Sequence, residues 1–176
     1  KFPFCLCYNG GFKAAITQHA AIARKLGPYK LSIHSGSDKF SIYSIIARHT
    51  KGLVHLKTAG TSYLEALRAI AHVNPDLFRR ILDFARSRYE EDRASYHVSA
   101  ELSKVPAASE LSAEQLATVL DLFDGRQVLH VTFGSVLDRY GDQLKASLRQ
   151  NEAIHYNVLE RHFVKHLEPF LQADQG

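Results

Sequence analysis

Three histidines lie within or at the end of short stretches that are rich in aliphatic and β-branched residues. They are His34, His97 and His130. Neutral imidazole is a good ligand for Zn, Ni, Co or Mn, and a catalytic metal usually keeps about three protein ligands and an open position. A lone strand histidine is more often a hydrogen-bonded core residue, but three in matching positions favour convergence on one ion. The sequence therefore predicts a divalent metal site formed by His34, His97 and His130.

Lys57 ends a further apolar stretch and is followed by the small residues of segment 58–61. Backbone N–H groups at the start of a helix attract anions, so Thr58 and Thr61 are candidate substrate-binding residues. A lysine beside them can bind a carboxylate or transfer a proton, and we expect Lys57 to be catalytic. The alternative is a lysine whose stem leaves the end of the sheet and whose ammonium lies in water.

The loop after His34 is crowded with small, hydroxyl-bearing and charged residues. Ser35, Ser37 and Lys39 are candidate substrate-binding residues, and Asp38 is a second candidate catalytic residue. Catalytic groups gather on loops at the carboxyl ends of parallel strands, which is where this loop would lie. The alternative for Asp38 and Lys39 is an ordinary surface ion pair.

A rival group of histidines lies in the last predicted helix. His155, His162 and His166 are seven and four residues apart, so they share one helical face. A histidine pair at this spacing can bind a metal, but no glutamate follows the first histidine as in a metalloprotease helix. We interpret this face as packing or surface, and we expect Glu65, one turn into an earlier helix, to face solvent.

The candidate residues can form one site only if the fold brings the ends of several strands together. Stretches of strand length cover residues 29–34, 53–57, 96–99 and 127–133. Apolar residues at helical spacing predict helices at 12–26, 40–47, 63–73, 76–95, 113–123, 143–150 and 152–171. Strand alternating with helix indicates βαβ units and a parallel sheet. We therefore expect an α/β fold that is a partial (β/α)8 (TIM-type) barrel, its carboxyl-terminal half.

Two helix boundaries carry specific signals. Gly27 and Pro28 should end the first helix, because glycine closes helices and proline cannot continue them. Asn74 and Pro75 should begin the fourth helix, because asparagine caps free N–H groups and proline suits the first turn.

Composition narrows the class of protein. The 176 residues are 45% hydrophobic and carry a net charge of +4 that is spread along the chain. We therefore expect no nucleic-acid partner and, since no apolar run is long enough, no membrane partner. Cys5 and Cys7 are too close for a disulfide framework, which favours a reducing, cytoplasmic compartment. No Gly-x-Ser-x-Gly or phosphate-binding glycine motif occurs, which disfavours serine hydrolases and nucleotide-binding enzymes.

Four segments resemble the tagaturonate epimerase family of uronate metabolism, namely 30–43, 57–66, 96–106 and 130–134. The first is long and unusual, so the resemblance is specific. Family members are considerably longer metal-dependent barrel enzymes. The resemblance implies that residues 12–176 form the carboxyl-terminal portion of such a barrel, while residues 1–11 stay unassigned.

The resemblance further implies an isomerase that interconverts D-tagaturonate and D-fructuronate. These sugar acids differ at C3 and carry the ketone at C5, so the C3 proton is not acidic and simple enolisation cannot remove it. We expect a retro-aldol route at C3–C4 with a divalent cation as Lewis acid. His34, His97 and His130 would bind the cation, and Lys57 and Asp38 would handle protons or the carboxylate.

Two other functional classes stay open. One is another metal-dependent sugar isomerase or aldolase on the same scaffold. The other is an inactive fragment that lacks the amino-terminal half of the site. The expected partner is a small sugar acid, and a homo-oligomer is also left open.

Overall fold

The computed structural model describes residues 9–27, 29–35, 40–58 and 61–171. Two compact units form, the first from Lys1–Ala59 with Phe163–Gly176 and the second from Gly60–His162. In chain order the main elements are α1 (Asn9–Leu26), β1 (Leu31–Ser35), α2 (Phe40–Thr50), β2 (Val54–Thr58), α3 (Thr61–Val73), α4 (Pro75–Asp92), α5 (Phe123–Val131), α6 (Phe133–Gln150) and α7 (Glu152–Leu171). Four short 3₁₀ helices lie between α4 and α5, at Arg93–Ser95, Leu102–Lys104, Ala108–Glu110 and Leu116–Leu120.

The first unit is built on the parallel pair of β1 and β2. The strands run in register from the pair Leu31 and Val54 to the pair Ser35 and Thr58. Because side chains alternate along a strand, one face presents aliphatic residues to the helices, and the core there consists of Leu31, Ile33, Val54 and Leu56 packed against Phe12, Ile16, Ile42, Tyr43 and Ile46. On the other face Ser32 and His55 are exposed, with Ser32 Oγ 2.9 Å from His55 Nδ1.

The second unit is a helical bundle around the central helices α3 and α4. Its largest fully buried side chains include Tyr89 and Phe78 of α4. The Asn74 side chain accepts a hydrogen bond from Leu77 N at 3.2 Å, and Pro75 occupies the first turn of α4. The predicted start of this helix is therefore confirmed, as is the end of α1 immediately before Gly27, which has a φ of +128°.

Arginine side chains attach the irregular segment 96–122 to α3 and α4. Arg79 donates to the carbonyl oxygens of Ala108 and Leu111, and Arg86 donates to that of Val105. Arg68 donates to the carbonyls of Ala117 and Leu120, both at 3.2 Å. A segment with little regular structure has unsatisfied backbone carbonyls, and these guanidinium groups satisfy them.

The prediction of a partial (β/α)8 (TIM-type) barrel is wrong. Among the described residues only β1 and β2 are strands, and the predicted strands 96–99 and 127–133 are absent. Residues 96–99 form an irregular connection after α4, whereas 127–133 lie in α5 and the start of α6. The prediction treated the apolar run 127–133 as a strand. In the structure, the buried residues of this run and of its flanks recur at helical spacing, namely Gly125, Val128, Leu129, Thr132 and Val136.

Among the described residues, no helix combines the length and the apolar character needed to cross a membrane.

Candidate functional site

The carboxyl ends of β1 and β2 lie side by side. In the parallel register His34 is opposite Lys57, and Ser35 is opposite Thr58. The Lys57 side chain is exposed, while His34, Ser35 and Thr58 are described by their backbone alone. The two polar loops that the sequence singled out therefore begin at neighbouring positions on one edge of the sheet, where parallel sheets carry their sites.

The remaining candidates of these loops are less fully placed. Ser37, Asp38 and Lys39 lie outside the described residues. Thr61 is the first residue of α3 and is described by its backbone alone. Their predicted roles in catalysis and substrate binding stay predictions.

His97 and His130 are not on strands. His97 is exposed in the connection after α4, and His130 is half-buried in the last turn of α5. A hydrogen bond of 3.2 Å from Ser99 N to Gln127 Oε1 joins the two segments. The premise that all three histidines end strands is therefore wrong, although it holds for His34.

His130 has an unusual environment for an imidazole. Its Nδ1 atom is buried and has no hydrogen-bond partner among the described residues. Burial, and then the charge of Arg126, lower the pKa of His130 below its ordinary value. At neutral pH the side chain is therefore an uncharged imidazole, a form that can serve as a metal ligand.

The described residues do not assemble a complete metal centre. Within them, no three side chains of the types His, Cys, Asp and Glu are gathered so as to hold a metal ion. The donor chemistry of His130 suits a metal, and the His34 side chain is not described. The site predicted for His34, His97 and His130 stays a prediction.

The second unit contains a charged cluster that sequence reasoning missed. Glu65 of α3 is 3% exposed, so the expectation that it faces solvent is wrong. Its Oε2 accepts from Arg68 Nε at 2.8 Å, and its Oε1 lies 3.2 Å from Arg126 Nη1 and 3.3 Å from His162 Nδ1. The sequence did contain a signal for this burial. Glu65 lies in a helix that is apolar on nearly all sides, and such helices are buried.

Arg68 extends this cluster to the surface. It also lies 2.9 Å from Asp121, whose side chain is exposed. Burial lowers the pKa of Arg68, but the charges and hydrogen bonds of Glu65 and Asp121 outweigh burial and raise it above its ordinary value. The Glu65 carboxylate thus joins α3 to α5 and to the middle of α7, and Arg68 joins the cluster to the 3₁₀ helix Leu116–Leu120.

The predicted histidine face of α7 is largely a packing face. His162 is buried beside Glu65 in the second unit. His166 is buried in the first unit, where its Nδ1 lies 3.0 Å from the Tyr43 hydroxyl. These contacts agree with the interpretation of His162 and His166 as packing residues.

These observations define a largely helical α/β segment with polar loops at the ends of two parallel strands. A family model described as tagaturonate epimerase matches residues 8–170. The chain therefore belongs to the tagaturonate epimerase family, as the sequence motifs indicated.

Individual relatives support this family assignment. The tagaturonate/fructuronate epimerase of Thermotoga maritima is 47% identical over 159 residues, which are 89% of this chain and 33% of the relative. The native crystal structure of the fructuronate-tagaturonate epimerase of Cohnella laeviribosi has a TM-score of 0.87 at 39% identity, and the match covers 92% of this chain and 34% of that one. A crystal structure of the same enzyme with one glycerol gives 0.85 at 40% identity, over 90% and 34%. The chain thus spans about a third of the length of these relatives.

Proposed function

We propose that the protein containing this chain is a sugar-acid epimerase that interconverts D-tagaturonate and D-fructuronate. The observation that carries the proposal is the 47% identity with the Thermotoga maritima protein of that name. The loops at the ends of β1 and β2 supply the side chains that such a substrate needs, a cation for its carboxylate and hydroxyl groups for its polyol chain.

The positions of the functional groups on the substrate suggest the mechanism. The C3 hydrogen is β to both the ketone and the carboxylate, so removing it as a proton gains no resonance stabilisation. The C3 hydroxyl, in contrast, is placed for retro-aldol cleavage. Loss of its proton forms a C3 aldehyde, the C3–C4 bond breaks, and an enediolate forms over C4 and C5. Re-addition to the other face of the aldehyde and return of the proton give the epimer.

Each candidate residue has a place in this scheme. Lys57 and Asp38 exchange the proton of the C3 hydroxyl or bind the carboxylate. The fragments of the sugar must not rotate while the C3–C4 bond is broken. Their hydroxyl groups are bound by Ser35, Ser37, Lys39, Thr58 and Thr61. When bound, a divalent cation supplies Lewis-acid stabilisation of negative charge on oxygen, and the neutral imidazole of His130 would be one of its ligands with His34 and His97.

The proposal is tested with the complete gene product, assayed by NMR with D-fructuronate beside the 176-residue chain. We expect D-tagaturonate to appear, with the original hydrogen kept at C3 in D₂O. Lys57→Met should lower kcat at least ~100-fold, as removal of a proton-transfer group usually does. Lys145→Met, at an exposed position of α6, is the matched control and should keep full activity. Absence of epimerisation by the complete product with added Zn, Mn, Ni or Co would reject the function, and a 3-keto intermediate would reject the cleavage route.

A further inference from the structure

The hydroxyl group of Tyr63 is buried and has no hydrogen-bond partner among the described residues. Tyr63 lies in the first turn of α3, two residues after Thr61. Burial raises the pKa of Tyr63 far above its ordinary value, so the side chain remains a protonated hydrogen-bond donor. Buried polar groups in folded proteins are nearly always paired, and an unpaired one calls for an explanation.

A second buried atom without a hydrogen-bond partner among the described residues, Nδ1 of His130, lies in the last turn of α5. Arg126 of α5 contacts Glu65 at 3.2 Å, and the ring of Phe133 meets that of Tyr63 edge-on, with centroids 5.0 Å apart. His130 is four residues after Arg126 and three before Phe133, and backbone hydrogen bonds continue through Thr132. Residues at these spacings share a helical face, so His130 lies on the face of α5 that carries Arg126.

We propose that Tyr63 is a further substrate-binding residue, whose hydroxyl donates a hydrogen bond to an oxygen of the sugar acid beside the ring of Phe133, where α3 meets the start of α6. The inference rests on the proposed function. A protonated tyrosine hydroxyl is a hydrogen-bond donor, which suits the hydroxyl and carboxylate oxygens of a polyhydroxy acid.

The side chain that packs on Tyr63 is itself partly exposed. Phe133, whose ring meets that of Tyr63 edge-on, is 44% exposed. Exposed side chains change rotamer on the picosecond to nanosecond scale. We therefore expect a ligand to reach the Tyr63 hydroxyl by displacing the Phe133 ring.

The test is Tyr63→Phe in the complete gene product, with Tyr89→Phe as the matched control. Tyr89 is also buried, but its hydroxyl donates to the Ala100 carbonyl oxygen at 2.9 Å. For Tyr63→Phe we expect KM for D-fructuronate to rise about tenfold or more, since one hydrogen bond to substrate is lost, while Tm stays equal or rises. For Tyr89→Phe we expect the reverse, a lower Tm with an unchanged KM.

Two outcomes would overturn the inference alone, and a third would reject it together with the proposed function. If the wild type epimerises and Tyr63→Phe keeps its KM and kcat, Tyr63 does not bind substrate. If Tm falls as far in Tyr63→Phe as in Tyr89→Phe, the hydroxyl is paired inside the protein, for example to an ordered water. If the wild type itself does not epimerise, the proposed function and the inference fall together.

Discussion

The Nδ1 atom of His162 lies 3.3 Å from the Oε1 atom of Glu65, and the two residues are only 6% and 3% exposed. The pair joins the middle of α7 to α3 within the second unit. With Arg68 and Arg126 on the same carboxylate, Glu65 is the centre of a buried ionic cluster. Burying a charge is costly unless it is compensated, so the stability of this unit should depend on Glu65.

Glu65→Gln tests this dependence. The substitution keeps the shape of the side chain but removes the charge that compensates Arg68 and Arg126, so we expect a loss of about 3–5 kcal/mol in the free energy of unfolding. Urea denaturation followed by circular dichroism measures it. The control is Glu91→Gln, because Glu91 pairs with Arg88 at the surface of α4 and is 70% exposed. Equal denaturation midpoints for Glu65→Gln and the wild type would contradict a stabilising role for the cluster.

Arg79→Lys tests the attachment of the irregular segment 96–122. The planar guanidinium of Arg79 reaches the Ala108 and Leu111 carbonyls together, and an ammonium cannot reproduce that fork. We expect the free energy of unfolding to fall by about 1–2 kcal/mol. Arg80→Lys changes the exposed neighbour, whose guanidinium donates to Gln143, and should change stability by less than about 0.5 kcal/mol. Similar losses in both variants would mean that the fork is not specific.

Gly125→Ala tests the packing of α5. A Cβ atom at Gly125 would overlap the carbonyl oxygen of Val119, so the backbone of one segment must shift. We expect a loss of about 1–3 kcal/mol in the free energy of unfolding. At Gly141, in the middle of α6, a Cβ atom meets nothing within 4 Å, so Gly141→Ala should stabilise by about 0.5–1 kcal/mol. Thermal unfolding should therefore separate the two variants in opposite directions from the wild type.

His130 should make stability depend on pH. Burial and Arg126 lower its pKa from 6.5, so on acidification the unfolded chain binds a proton before the folded protein does. The unfolded state then holds more protons, and stability is lost as the pH falls through about 6.5 towards the folded pKa. His130→Leu removes this contribution, so its stability should change less between about pH 7 and pH 5. Urea titrations at several pH values, with a chelator present, measure the difference between this variant and the wild type. An unchanged slope in His130→Leu would contradict the effect.

The predictions that depend on a single residue at a helix boundary were confirmed. Asn74 caps α4 through Leu77 N, and Gly27 follows the end of α1, as predicted. The register of β1 and β2 places His34 opposite Lys57, as expected of strands that end at one edge. The motifs around these two residues also indicated the family correctly. Each of these features is encoded by a short segment of the sequence.

The sequence by itself determined the boundaries at Asn74 and Gly27, the two strands β1 and β2 and the family, because each of these depends on a short segment of sequence. Only the tertiary structure decided that 127–133 is helical and that Glu65 is buried. A run of valine and leucine suits a strand or a buried helix equally well, and the helices that pack around Gly125 and Val128 decide between them. Glu65 is buried because Arg68, Arg126 and His162 compensate its charge, and two of these three lie 61 and 97 residues further along the chain.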